Sequence, residues 1–214
     1  MKINCINLKR AVDRHENMKK SWKNFDISFF EAIDKNYIEE FGDIIPYTEH
    51  KIPHHRGFMR TFNTGERACA TSHYFLLKNC LEGDDDWFFV LEDDVKCNTS
   101  PELLHEHFIN MNTEYPDVEV FLLHGKMGPC KTYKSGKYSS LVESGEVHGT
   151  IFYAISRVGA RKLIEYIETM SLPIDLHWSK FAKELKIAIC NHVHGIHIGK
   201  DSYINANING RFFK

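Results

Sequence analysis

The sequence predicts an α/β fold, and three observations predict it. Apolar β-type runs alternate along the chain with stretches of helical period. The opening order of strand, helix and strand makes a βαβ unit, the crossover that parallel pairing requires. The run Trp87-Phe88-Phe89-Val90-Leu91 is continuously apolar, as a strand covered on both faces is, and it leads straight into Glu92-Asp93-Asp94.

Taken in order, Lys2 to Leu8 alternates in part and reads as the first strand. Ala11 to Trp22 follows as a helix with Val12, Met18 and Trp22 on one face, and Asp26 to Ile33 is the second strand. From Asp34 to Thr64 no period survives, and Pro46, Pro53, Gly57 and the pair His54-His55 predict a long irregular excursion of the kind that carries function. Gly65 to Leu81 places Ala68, Ser72, Phe75, Leu76 and Asn79 at three and four spacings, which predicts a helix with Thr64 as N-cap. After the central strand, Pro101 to Met111 is a helix with Ser100 as N-cap and proline at its first position. Val118 to His124 is another apolar strand. Gly125 to Gly145, rich in Gly, Lys, Ser and Tyr, predicts a flexible stretch suited to a lid or acceptor loop. Gly149 to Ser156 is a strand whose last residue caps a helix from Arg157 to Glu168, and a further helix over 176–184 follows Pro173-Ile174-Asp175. Leu185 to Cys190 is a short strand, and Val193 to Ile198 is expected to extend the sheet. No repeat or linker divides the chain, so one domain over 1–214 is expected.

Composition narrows the function classes. The 27 Lys and Arg against 29 Asp and Glu give a net charge of -2, and no basic stripe marks a nucleic-acid partner. The amino terminus becomes charged too soon for a signal peptide, and no apolar run reaches membrane-spanning length, so a cytoplasmic protein without a transmembrane segment is expected. Six cysteines occur without a C-x-x-C pair, which reads as reduced thiols rather than a zinc knuckle.

The triplet Glu92-Asp93-Asp94 carries the chemistry. In open α/β sheets ligands bind at the carboxyl ends of strands. Clustered acids there repel one another unless a cation or hydrogen-bond donors compensate them. Two readings compete: a hard divalent ion carrying a phosphorylated ligand, or a solvated acidic turn. The absence of a G-x-x-x-x-G-K loop disfavours an ATPase.

Further segments come in a telling order: Ile6-Asn7-Leu8 with Arg14, Phe30-Glu31-Ala32-Ile33-Asp34, Gly65-Glu66-Arg67-Ala68-Cys69-Ala70-Thr71-Ser72-His73, Leu91-Glu92-Asp93-Asp94-Val95, Gly149-Thr150 with Tyr153-Ala154-Ile155-Ser156, Gly159-Ala160 and Pro173-Ile174-Asp175. Together, over about residues 3 to 178, they make the chain resemble glycosyltransferase family 25, which holds bacterial lipooligosaccharide galactosyltransferases and animal collagen hydroxylysine galactosyltransferases. The resemblance implies a GT-A-like, Rossmann-type mixed sheet with flanking helices. It also implies an inverting transfer of a hexose, galactose or glucose, from a UDP-sugar to a hydroxyl of a glycan or a hydroxylated protein, with Mn2+ or Mg2+ as cofactor. The segments around His54-His55-Arg56-Gly57 and over 125–145 match no family motif.

Carried onto this chain, the resemblance makes Asp94 the metal ligand, with Glu92 and Asp93 hydrogen-bonding the ribose and the sugar. Asp175 is the candidate base, against its alternative as a helix N-cap. Glu66 is a second candidate base or a first-turn acid that suits the helix dipole. Asn7, Leu8 and Arg14 follow the first strand, where uracil and diphosphate would be met, and Ser72 and His73 are site neighbours. Among the thirteen histidines, His192, His194 and His197 invite a metal reading, and His197 is the one expected to complete the metal shell. His105-Glu106-His107 does not have helical ligand spacing. Two rivals remain: a non-catalytic carbohydrate- or nucleotide-binding module on the same fold, and a metal-dependent phosphohydrolase, which would need more Asp and His at strand ends.

Overall fold

The structure is a computed structural model and describes residues 1–42, 51–53, 59–61, 63–125, 128–145, 147–169 and 172–198. Among the described residues, twelve strands, five α-helices and one 3-10 helix follow in chain order: β1 (Lys2–Asn7), α1 (Val12–Ser21), β2 (Asp26–Glu31), a 3-10 helix (Lys35–Phe41), β3 (Lys51–Pro53), β4 (Met59–Thr61), α2 (Thr64–Glu82), β5 (Trp87–Glu92), β6 (Val95–Cys97), α3 (Pro101–Glu114), β7 (Val120–Leu122), β8 (Lys131–Ser135), β9 (Ser139–Ser144), β10 (Phe152–Ser156), α4 (Arg157–Thr169), α5 (Ile174–Lys180), β11 (Ile187–Cys190) and β12 (Gly195–His197).

Eight strands form one sheet in the order β2-β1-β5-β10-β7-β11-β9-β8. β2, β1 and β5 are parallel, β10 runs against both β5 and β7, and β11 is parallel to β7, so the sheet is mixed as the expected GT-A-like class requires. The β1-α1-β2 opening is the βαβ unit read from the sequence.

β5 is the centre of this arrangement. Phe88, Phe89, Val90 and Leu91 are each at most 5% exposed, because both faces of the strand are covered. Val90 joins a cluster with Leu77, Tyr153, Ile155 and Trp178, while Leu91 joins one with Ile3, Trp22, Leu104 and Phe152. Burial of each such side chain contributes about 1.5–3 kcal/mol. That apolar environment cannot continue past Leu91, where the chain meets Glu92, Asp93 and Asp94 and turns into β6.

Four expectations are corrected. The N-cap of α2 is Asn63, not Thr64: its side chain accepts the Glu66 N–H at 2.9 Å, and the Glu66 carboxylate accepts the Asn63 N–H at 3.0 Å. That reciprocal pair satisfies two otherwise orphaned donors. α5 begins at Ile174, ahead of Asp175, with Pro173 as an N-cap that makes no side-chain bond, so Asp175 is not the cap of a 176–184 helix. The 193–198 strand does not extend the main sheet, since β9 already occupies that side of β11; β12 pairs instead with β6.

The fourth correction concerns 125–145, which holds the β8–β9 hairpin at the sheet's edge. β9 is four strand spacings from β5, about 19 Å, so the hairpin is not a lid over the acidic triplet. Its turn is held by Glu114 at the end of α3, whose carboxylate accepts the backbone N–H groups of Lys137, Tyr138 and Ser139 at 2.6, 3.2 and 3.1 Å. In the long 34–64 stretch, the 3-10 helix and the β3–β4 pair appear, whereas His54-His55-Arg56-Gly57 lies outside the described residues.

Removing the Glu114 carboxylate leaves three turn amides without their charged acceptor, and bonds of that kind are worth about 1.5–3 kcal/mol. Glu114→Ala is therefore expected to lower stability by about 2 kcal/mol and to raise hydrogen exchange across 131–144 while α2 and β5 keep their protection. Unchanged exchange in the hairpin would show that the carboxylate does not hold it.

Candidate active site

The topology brings four chain segments to one edge of the sheet. Parallel pairing of β1 with β5 sets Ile6 beside Glu92, so the residues that follow β1 arrive where the acids begin. Antiparallel β10 sets Phe152 opposite Leu91, so the segment entering β10 lies at the same edge, and the Glu92 N–H donates to Ile151 O at 2.9 Å. β12 pairs His197 with Val95, directly after the triplet. α1 is tied behind the turn by Trp22, whose Nε1 donates to Val95 O at 2.9 Å.

Each acid has different partners. Asp93 accepts from Arg14 at 2.6 Å and from Asn7 Nδ2 at 2.7 Å. Burial pushes its pKa up, and Arg14 and Asn7 pull against that rise. Glu92 accepts a very short bond from Thr150 Oγ1, and its Oε1 lies 3.5 Å from His73 Nε2. His73 is fully buried and its Nδ1 meets the Tyr153 hydroxyl at 2.8 Å, while its Nε2, which faces Glu92, makes no hydrogen bond among the described residues. Asp94 Oδ2 lies 3.4 Å from both Arg14 and His197 Nε2. Asp94 Oδ1 is buried and has no hydrogen-bond partner among the described residues.

That orphaned oxygen is the test of whether the triplet fits a divalent ion. A buried carboxylate oxygen without a donor is costly. Three carboxylates face the Arg14 guanidinium and the imidazoles of His73 and His197 here, at an edge rich in oxygen donors. Oxygen-rich, acidic surroundings suit Mg2+ or Mn2+, so the residues present fit the cofactor. Asp94 and His197 are the groups that could hold it.

Beside the triplet is a cleft with an apolar floor of Ile6, Leu8, Ala32 and Ala68 and a basic rim of Arg10 and Lys35. An apolar floor with few placed polar groups is the usual make-up of a small-molecule site. Ser72 lines the cleft, but its hydroxyl accepts the Ile33 N–H at 2.8 Å and donates to Ala68 O at 2.7 Å, which fastens the end of β2 to α2.

Asp175 approaches from the other side. It accepts the backbone N–H of Gly149, next to the Thr150 that binds Glu92, so one short segment links the two acids. Burial raises the Asp175 pKa above the ordinary carboxylate value, opposed by that N–H and by His148, and reinforced by the charges of Glu92 and Glu66. The Cys69 thiol is likewise pushed up, by burial first and then by the charges of Glu92, Asp175, Asp94 and Glu66. Glu66 is engaged in the capping box of α2. Thr150, Tyr153 and Cys69 were given no site role from sequence; the only signal for them is their place in the Gly149-Thr150, Tyr153 and Arg67-Ala68-Cys69 motif pieces.

Against solved structures, the chain aligns over 94% of its length with 93% of a glycosyltransferase involved in the glycosylation of the major capsid of PBCV-1, at a TM-score of 0.51 and 8% identity. At that identity the likeness is one of fold, and it places the chain in the GT-A-like class. Residues 1–178 match the model of Glycosyltransferase family 25 (LPS biosynthesis protein), and the chain belongs to that family. Among curated relatives, lipooligosaccharide biosynthesis protein lic2B of Haemophilus influenzae is 30% identical over 193 residues, 82% of this chain and 69% of the relative. Procollagen galactosyltransferase 2 of Homo sapiens is 26% identical over 169 residues, 76% of this chain and 27% of the relative. The chain therefore spans about a quarter of the human protein's length.

The Asp94 carboxylate raises the His197 pKa above its ordinary value. A raised folded-state pKa means the pair stabilises the fold below the unfolded histidine value and loses that contribution as pH rises through the folded one. In a proton-monitored NMR titration His197 is expected to titrate above about 6.5, and Asp94→Asn should return it to or below that value. An unmoved His197 midpoint in the variant would disprove the pairing.

Proposed function

We propose that this chain is an inverting, metal-dependent glycosyltransferase that moves a hexose from a UDP-sugar to an acceptor hydroxyl. Family membership supports the transferase reading. The observation that carries the rest is the buried, unpartnered Oδ1 of Asp94 within a carboxylate triplet beside an apolar, basic-rimmed cleft. Galactose is the favoured hexose because one relative is named as a galactosyltransferase, with glucose as the alternative. The names of the two relatives favour a glycan or a hydroxylated protein as acceptor. No helix among the described residues is long and apolar enough to cross a membrane; a cytoplasmic setting is part of this proposal.

In this reading Asp94 and His197 hold Mn2+ or Mg2+, which when bound supplies Lewis-acid stabilisation of the departing diphosphate. Ile6, Leu8 and Ala32 accept the base, with Asn7 and Arg14 holding Asp93 in place and Arg10 and Lys35 facing the phosphates. Glu92 and Asp93 receive ribose and sugar hydroxyls; Thr150 and His73 orient Glu92.

Asp175 acts as general base. It takes the proton of the acceptor hydroxyl as that oxygen bonds to the anomeric carbon, and the bond from that carbon to the diphosphate oxygen breaks with its electron pair leaving on UDP. One displacement inverts the centre, so no enzyme nucleophile is required. The elevated pKa of Asp175 makes it a stronger base than an exposed carboxylate. Glu66 is the weaker candidate, since its carboxylate already serves the α2 cap.

Calorimetry with UDP is expected to show binding in Mn2+ that is lost in chelator and in Asp94→Asn. Equal binding in chelator would remove the metal from the proposal. Asp175→Asn keeps the shape but loses the basicity, so transfer should fall about 10²–10⁴-fold with UDP affinity and Tm nearly unchanged. Transfer near the parent rate would move the base to Glu66, and no turnover of any nucleotide sugar by the parent protein would favour a binding module.

A further inference from the structure

His107, His192 and His194 come together where α3 meets the segment between β11 and β12. Nothing in the 105–107 spacing along α3 suggests a ligand set, because His107's partners come from a distant segment. One ring nitrogen of each residue lies within 4.8 Å of the others. The ring centroids form a near-equilateral triangle of 4.9, 5.1 and 4.9 Å.

The proton arrangement aims the His194 Nε2 lone pair inward. Thr99 Oγ1 donates to Ser100 O at 3.4 Å, so it accepts from His194 Nδ1, 2.9 Å away. With its proton on Nδ1, the fully buried His194 presents an Nε2 lone pair to His107 Nδ1 at 3.3 Å. An acceptor that takes the second ring N–H and so fixes the tautomer is the usual support of a metal-binding imidazole, and here the Thr99 hydroxyl fills that place. Two nitrogens at about 2.0–2.1 Å from one tetrahedral zinc are separated by about 3.3–3.4 Å, which is the span found. Exposed His192 supplies the third donor and the route in from solvent.

We propose that His107, His192 and His194 form a zinc site, separate from the catalytic edge. The donor set consists of imidazoles alone, which suits Zn2+ rather than the hard Mg2+ or Mn2+ fitted by the oxygens around Asp94. Three protein nitrogens leave one tetrahedral position for water. The ion clips the β11–β12 segment to α3. That segment is already stitched by the His194 N–H to Leu123 O and the Asn98 N–H to His194 O, and three residues further on it delivers His197 to Asp94.

The test uses protein without a histidine tag, stripped with chelator, loaded with Zn2+, dialysed and assayed for bound zinc and for Tm. The parent protein should retain one equivalent, and at about a hundredfold excess of zinc over Kd its Tm should rise by about 5–10 °C. His192→Ala, a surface change that leaves the fold intact, and His107→Gln should each abolish retention and the Tm rise, whereas Asp94→Asn should keep both. With Co2+ as probe, a visible absorption band should appear in the parent and in Asp94→Asn and vanish in His192→Ala. Absence of retained zinc in the parent, retention unaffected in both histidine variants, or loss of zinc in Asp94→Asn would each overturn the proposal. The last outcome would also transfer the metal to the catalytic edge, so the two sites are told apart.

Discussion

The repulsion among Glu92, Asp93 and Asp94 is the constraint on which the rest of the structure depends. Buried β5 delivers the three acids to one edge, and every neighbouring segment answers them. Arg14 on α1 and Asn7 at the end of β1 neutralise and orient Asp93, Thr150 ahead of β10 binds Glu92, and His197 on β12 faces Asp94. Each of these contacts also fixes a chain crossing: α1 against β6, β10 against β5, and β12 against β6. The same charges that define the site thus fasten the elements around it. One oxygen, Asp94 Oδ1, is left without an answer among the described residues, and that is where the chemistry is expected.

The mixed sheet explains why acids from distant parts of the sequence lie together. Had β10 run parallel to β5, its leading residues would lie at the opposite edge. Because it is antiparallel, Gly149 and Thr150 meet the end of β5, and a two-residue segment bonds Asp175 through one N–H and Glu92 through a hydroxyl. Gly149 has φ of 81°, a conformation that glycine adopts without the Cβ penalty other residues meet. The Tyr153–His73 bond extends this order into the core, with the second His73 nitrogen 3.5 Å from Glu92 and without a hydrogen bond among the described residues.

The far side of the sheet is built on a separate principle. β8 and β9 carry few core residues, and the hairpin's place depends on the Glu114 carboxylate gathering its turn amides. Composition there suggested mobility, since Gly, Lys and Ser are common in loops. A single acid on α3, distant in sequence, organises it as structure.

The α/β class, the βαβ opening, the buried central strand and the acidic triplet at its end are legible in the residues alone, because periodicity and apolar runs are local signals set by what each residue can bury. So are the motif pieces that mark the family. Tertiary structure alone decided the strand order, the pairing of β12 with β6, the capping box at Asn63 and the arrival of Gly149 beside Asp175. It likewise decided that His107, which has no ligand spacing within its own helix, would meet His192 and His194. These depend on pairing between residues far apart in the chain, and such pairing is selected by the packing of whole elements, which no local spacing encodes.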